Sequence, residues 1–195
     1  MCPKKEKGKF QLIFHLSYPQ GDSVNDFVSP EFSTVQYIHI ANAIKGIKQF
    51  TSPCLLAKTD ISMAYRNLPL RVQEYHLFGF KWKQLYYFDK WLSMGCSSSC
   101  QIYERFSSNL HSIGQFVMPD GLVFHILVEF LIVAPSAEKC KFYLATFLGI
   151  CQDIGIPMAA EKTMGPLTCL TFLGIELYTV NQIARLPEDK KCLNV

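Results

Sequence analysis

A chain of 195 residues with 49% hydrophobic and 18% charged side chains can bury one sizeable core, which excludes a disordered polymer. Its formal net charge of +3 permits a polyanionic partner without arguing for one, because the Lys and Arg residues are scattered. The longest apolar run, 122–133, contains His125 and Glu129 and is too short to cross a membrane.

Lys4, Lys5, Lys7 and Lys9 form the one basic cluster, which reads as a solvated terminus ahead of a phosphate contact or a nuclear address. No apolar stretch follows these charges, so no secretory signal is read and an intracellular setting is expected. The eight cysteines form no C-x-x-C pair, and Cys96, Cys100 and His111 have no fourth ligand at zinc-finger spacing. Buried, reduced thiols are expected.

In chain order, Lys9–Tyr18 predicts a strand ended by a turn at 19–22. Ser33 or Thr34 is placed to cap a helix over 35–48, with Tyr37, Ala41, Ile44 and Lys48 on its core face, widened by Ile40 and Ile47. Gly46 weakens its last turn. Cys54–Ala57 reads as a buried strand with Asp60 at its end, where folds present catalytic groups. A turn or N-cap aspartate would look the same.

His76–Trp82 and Gln84–Phe88 alternate and are rich in aromatics, as a hairpin would be. The small and polar run 92–99 precedes a helix whose stripe is Ile102, Phe106, Leu110 and Ile113. The run 122–133 is almost wholly apolar, and its Ile126 and Val128 favour a strand. Ser136 caps a helix over 137–154, with Phe142, Ala145, Leu148 and Gln152 near one face and Gly155 as its stop.

Several of these stretches, taken in order, resemble the reverse transcriptases of DIRS-type retrotransposons, which carry a tyrosine recombinase. KTDISMAY (58–65) is similar to that family's first carboxylate motif, and GFKWKQLYYFDKWLSMGCSSSC (79–100) to its hairpin and the loop that opens the template-gripping helix. PMAAEKT (157–163) and CLTFLGIEL (169–177) resemble the motifs that close the palm. At the catalytic hairpin, where relatives read HYLDDFLFVGP, this chain reads HILVEFLIVAP (125–135). Val128 therefore stands at the first aspartate and Glu129 at the second.

The resemblance implies an α+β fold: a polymerase palm, an antiparallel sheet backed by helices, with a partial fingers subdomain. It implies partial fingers and a first palm helix over 1–57, a palm over 58–186 with an inserted fingers hairpin at about 71–90, and the start of a missing thumb at 187–195. It implies Asp60 as catalytic and metal-ligating, with Glu129 a degenerate and Val128 a lost catalytic position. Nucleotide contacts are implied for Lys9, Gln11, Tyr65, Met94, Gly95 and Lys162, and a primer grip for Leu173 and Gly174.

Gln11 stands where relatives carry a basic residue, and an amide cannot neutralise a triphosphate. Tyr65 fits either a filter under the sugar or a packed ring. Lys162 fits either a lysine near the triphosphate or a loop lysine. Ser93 replaces a usual proline.

The implied reaction is RNA-directed DNA synthesis with Mg2+ or Mn2+ on an RNA or DNA primer–template, and no membrane partner. Such chemistry needs two divalent ions about 3.5–4 Å apart. Magnesium demands oxygen ligands in near-octahedral geometry. Valine offers only methyl groups, and Glu129 is expected on the opposite strand face from its neighbour. Asp60 then stands alone, and polymerisation is expected to be lost. A non-enzymatic module binding nucleic acid or protein, and an unselected mobile-element remnant, fit the same residues.

Overall fold

The computed structural model describes residues 2–3, 10–11, 13–50 and 53–188, with 10–11 and 2–3 described by their backbone alone. In chain order the elements are β1 (Cys2–Pro3), β2 (Phe10–Gln11), α1 (Ile40–Ile47), β3 (Leu55–Asp60), β4 (Gly79–Trp82), β5 (Leu85–Phe88) and α2 (Ser99–Phe116). Then follow β6 (Leu122–Ile126), β7 (Glu129–Ala134), α3 (Ala137–Asp153), β8 (Met164–Leu167), β9 (Cys169–Phe172), β10 (Ile175–Tyr178) and β11 (Ile183–Arg185). Helices and antiparallel strands are thus mixed along the chain, the α+β class expected. Two units divide it: Met1–Gln36 with Met63–Arg105, and Tyr37–Ser62 with Phe106–Val195.

The second unit is built on a four-stranded sheet in the order β6-β7-β3-β8, every neighbouring pair antiparallel. Strand β7 lies inside it and is covered on both faces. Phe130, Leu131, Ile132 and Val133 are fully buried in succession, so both sets of alternating side chains leave water. Burying four such side chains is worth about 1.5–3 kcal/mol each before entropy is charged.

On one face, Phe130 meets Phe147 of α3 with ring centroids 5.1 Å apart. On the other, Leu56, Leu131 and Val133 join Ala43 and Ile47 of α1 with Leu170, Phe172 and Leu177 of β9 and β10. A Cβ on Gly46 would stand 2.6 Å from the Phe124 ring, so glycine lets α1 lie against β6. Strands β9, β10 and β11 form a separate three-stranded sheet.

In the first unit, β4 and β5 pair antiparallel around Lys83 and Gln84, both in the left-handed region at φ 47° and 65°. Two such central residues make the turn whose twist matches a hairpin. Phe14, Leu16 and Phe78 form a small core, joined by Leu70 and Phe80.

Several local expectations need correction. Among the described residues, the strand expected over Lys9–Tyr18 is regular only at Phe10–Gln11. Residues 13–16 alternate exposed and buried like a strand, yet they lack a partner strand: Phe14 N–H donates to the Met94 carbonyl at 3.0 Å, and the Leu16 carbonyl accepts from Asn25. The first helix is shorter than 35–48. It begins at Ile40 behind a reciprocal His39–Asn42 cap, because Pro30–Phe32 takes a separate 3-10 turn beside Ser33 and Thr34. Tyr37, Ala41 and Lys48 are exposed, and the buried face is Ala43, Gly46 and Ile47. Residues 72–78 form a 3-10 helix, which delays the hairpin's first strand to Gly79.

The long helices exist as expected, but each turns a different face inward. Ile102 and Ile113 are exposed, whereas Tyr103, Ser107, Leu110 and Gly114 are buried. Phe142, Ala145 and Gln152 are exposed, whereas Cys140, Tyr143, Phe147 and Cys151 are buried. Small residues admit the bulky ones opposite: a Cβ on Gly114 would come within 3.1 Å of the Phe147 ring.

Candidate active site

The Asp60 carboxylate owes its position to the end of β3. The register runs without a slip from Leu55 opposite Ala134 to Asp60 opposite Glu129. Beyond it, Ile61 N–H donates to the Val128 carbonyl at 2.9 Å, tying the strand end to the β6–β7 turn. Leu127 and Val128 are that turn. Leu127 takes φ 49°, and its carbonyl accepts a hydrogen bond from Ser107. A non-glycine residue in the left-handed region costs about 1–2 kcal/mol, so the hairpin tip is held by its surroundings.

This register overturns the expectation that Glu129 faces away and leaves Asp60 alone. Val128 sits in the turn, outside the alternation of the strands, and Glu129 is the first residue of β7. Residues directly opposite in an antiparallel pair share a face, with Cβ atoms about 4.5–5.5 Å apart. Asp60 and Glu129 therefore form a cross-strand carboxylate pair.

Two lysines answer the two acids. Lys58 is two residues before Asp60 on the same strand face, 19% exposed. Its ammonium donates to the Thr171 carbonyl at 2.8 Å and lies 3.4 Å from Glu129 Oε1.

Lys162 arrives from the other side. Ser62 N–H donates to the Pro157 carbonyl and Ala159 N–H to the Asp60 carbonyl, both at 2.8 Å, which lays 157–159 along the end of β3. The 3-10 turn Ala160–Lys162 follows, and Lys162 Nζ reaches Asp60 Oδ2 at 3.1 Å. The four side chains line a cleft of about 140 Å³ together with Thr59, Glu161 and Met164.

Paired divalent ions do not fit this set of side chains. Each carboxylate already carries an ammonium group, which can never act as a ligand, and the turn residue between them presents valine. Among the described residues, no three His, Cys, Asp or Glu side chains are grouped to hold a metal ion.

Leu173 and Gly174 form the two-residue turn between β9 and β10, both left-handed at φ 50° and 77°. Leu173 packs on the core beneath.

Other residues singled out in the sequence belong to the first unit. The Tyr65 hydroxyl is 3.2 Å from Cys100 Sγ and its ring meets Tyr103 edge-on at 5.2 Å, so this tyrosine is packed and partnered. Met94 accepts from Phe14 through its carbonyl. Gly95 has φ 108°, and a Cβ there would stand 2.0 Å from the Phe14 carbonyl oxygen. Its glycine is demanded by this internal approach. Gln11 has only its backbone described, and Lys9, the other N-terminal lysines and 189–195 lie outside the described residues.

Sequence reasoning missed Lys58 and Thr171. The signal for Lys58 was available: two residues before an acid on one strand means the same face. Thr171 contributes only a carbonyl, which no side-chain pattern announces.

No protein-family model matches the chain, and no curated protein does. Solved structures do. Over its whole length it superposes on a foamy viral protease–reverse transcriptase in complex with double-stranded DNA, with TM-score 0.79 and 16% identity. The fold is reverse-transcriptase-like. A second foamy viral structure, with double-stranded DNA, matches over 83% of the chain at TM-score 0.65 and 16% identity. Apo telomerase from Candida tropicalis matches over 76% at TM-score 0.53 and 13% identity. The chain spans 31%, 32% and 39% of those proteins, so the reverse-transcriptase-like fold is what the comparisons establish. Among the described residues, no helix is long and apolar enough to cross a membrane.

Proposed function

We propose that the chain is a reverse-transcriptase domain of DIRS-type retrotransposon origin that has lost polymerisation and retains binding to a primer–template of RNA or DNA. The observation that carries this reading is the pair of opposed acids, Asp60 and Glu129, each held by a lysine, with valine in the turn between β6 and β7. In-line attack on a triphosphate relies almost wholly on positioning and charge neutralisation by metal ions. On this reading an ammonium at Asp60 Oδ2 and another at Glu129 Oε1 compete with that arrangement.

On this reading 58–186 is the palm with its hairpin insertion, and 1–57 contributes fingers and the first palm helix. The resemblance assigns nucleotide contacts to Tyr65, Met94, Gly95 and Lys162, with Lys9 and Gln11. Leu173 and Gly174 stand at the primer grip. An intracellular setting follows from the expected partners. Lys81 and the aromatic residues of β4 and β5 suit an unpaired strand or a duplex end, because bases stack on aromatic rings.

Duplex capture and primer extension, run on one preparation with Mg2+ or Mn2+, test the proposal. Capture that weakens steeply with salt and no incorporation above background are expected. Robust incorporation that disappears in Asp60→Ala would overturn the loss of activity. No affinity at any salt would overturn the binding.

A further inference from the structure

We infer that Lys58 and Lys162 are built-in cations of the cleft, standing where divalent ions would otherwise be recruited and keeping them out. The inference rests on the acid–lysine pairs of the proposed function and requires no nucleic acid. Its starting point is electrostatic. Like charges directly opposite across a strand pair destabilise the sheet, and Asp60 and Glu129 are so placed at the ends of β3 and β7. Something must neutralise them, and here the chain itself does.

The two lysines do so in different ways. Lys58 is embedded: at 19% exposure it is held by a main-chain acceptor, Thr171, as well as by Glu129. A buried ammonium without acceptors would be expensive, so its position depends on those bonds. Lys162 is the open half, 56% exposed and bonded to Asp60 alone. Glu161 lines the same cleft, giving three acids and two lysines there. A divalent ion entering would meet two ammonium groups, one at Asp60 Oδ2 and one at Glu129 Oε1, whose positive charge opposes its own.

Mn2+ titration of the full chain, followed by thermal melting and calorimetry without nucleic acid, tests this. The natural sequence should melt at the same temperature with and without millimolar Mn2+. Lys162→Met, at the exposed position, should bind Mn2+ about tenfold more tightly, since a like charge next to the ion is removed. The double variant Lys58→Met/Lys162→Met should gain roughly 5–10 °C at a hundredfold excess over Kd. Adding Asp60→Asn should abolish that gain, whereas Lys58→Arg/Lys162→Arg, which keeps both charges, should show none.

Equal Mn2+ binding by the natural chain and the lysine variants would overturn the inference. If the double variant fails to fold, Lys162→Met decides alone: unchanged affinity sinks the idea. Failure of duplex capture would leave this result untouched, and Mn2+ binding by the natural chain would leave duplex capture untouched.

Discussion

The β6–β7 and β4–β5 hairpins are built from nearly the same materials and end in opposite surroundings. Both are antiparallel, both close through two-residue turns containing left-handed residues, and both are rich in aromatic and aliphatic side chains. Yet β7 is buried from Phe130 to Ala134, whereas all four residues of β5 are exposed, Tyr86 by 81%. Apolar composition proposes burial, but a covering layer decides it. Within its unit, α3 lies on one face of β7, and α1 with β9 and β10 on the other. The β4–β5 hairpin gains only partial cover in its own unit, from Tyr75 against Phe88 and Phe14 against Phe80.

That contrast can be broken by mutation. Phe130→Ala removes a fully buried ring between two layers and should cost about 3–5 kcal/mol, a fall in Tm of roughly 10 °C in thermal melting. Arg66→Met strips a partner from Asp89, which is 6% exposed and follows β5 directly. Because the arginine is itself 44% exposed, a smaller cost of about 1–2 kcal/mol is expected in a denaturant melt.

The covering layer can be probed without mutation. Burial pushes the Cys140 and Cys151 thiols up to about 11, and that of Cys54 up as well. At pH 8, thiol titration should therefore leave these three unreacted until denaturant is added. Early reaction would mean that α3 does not stay closed on the sheet.

Tyr86→Ser, on the uncovered hairpin, should change stability by no more than about 0.5 kcal/mol and weaken duplex capture. Smallest is Asp120, whose carboxyl is held below its usual range by hydrogen bonds from Lys139 and then Tyr143. Its contribution is present at neutral pH and lost as pH falls below the ordinary carboxylate range. Asp120→Asn should flatten the acid side of the stability profile, read by melting below about pH 4.

What was legible in the sequence was local. The strand ending at Asp60, the β4–β5 hairpin and the Ser136-capped helix depend on alternation, turn chemistry and caps within a few residues. Faces were harder. On α2 and α3 the buried stripes include serine, glycine and cysteine, which read as weak signals yet admit neighbouring rings closely. The cross-strand acid pair was hidden for another reason: assigning Val128 to the strand rather than the turn inverts the face of Glu129, since strand side chains alternate. Even so, the placing of Asp60 at the end of a buried strand was legible in the sequence.

The loss of polymerisation is tested most directly by primer extension with the natural chain beside Val128→Asp/Glu129→Asp, on one RNA template with Mn2+. Background-level incorporation by the natural chain is the predicted result. Incorporation by the natural chain matching that of the back-substituted protein, and abolished by Asp60→Ala, would contradict it.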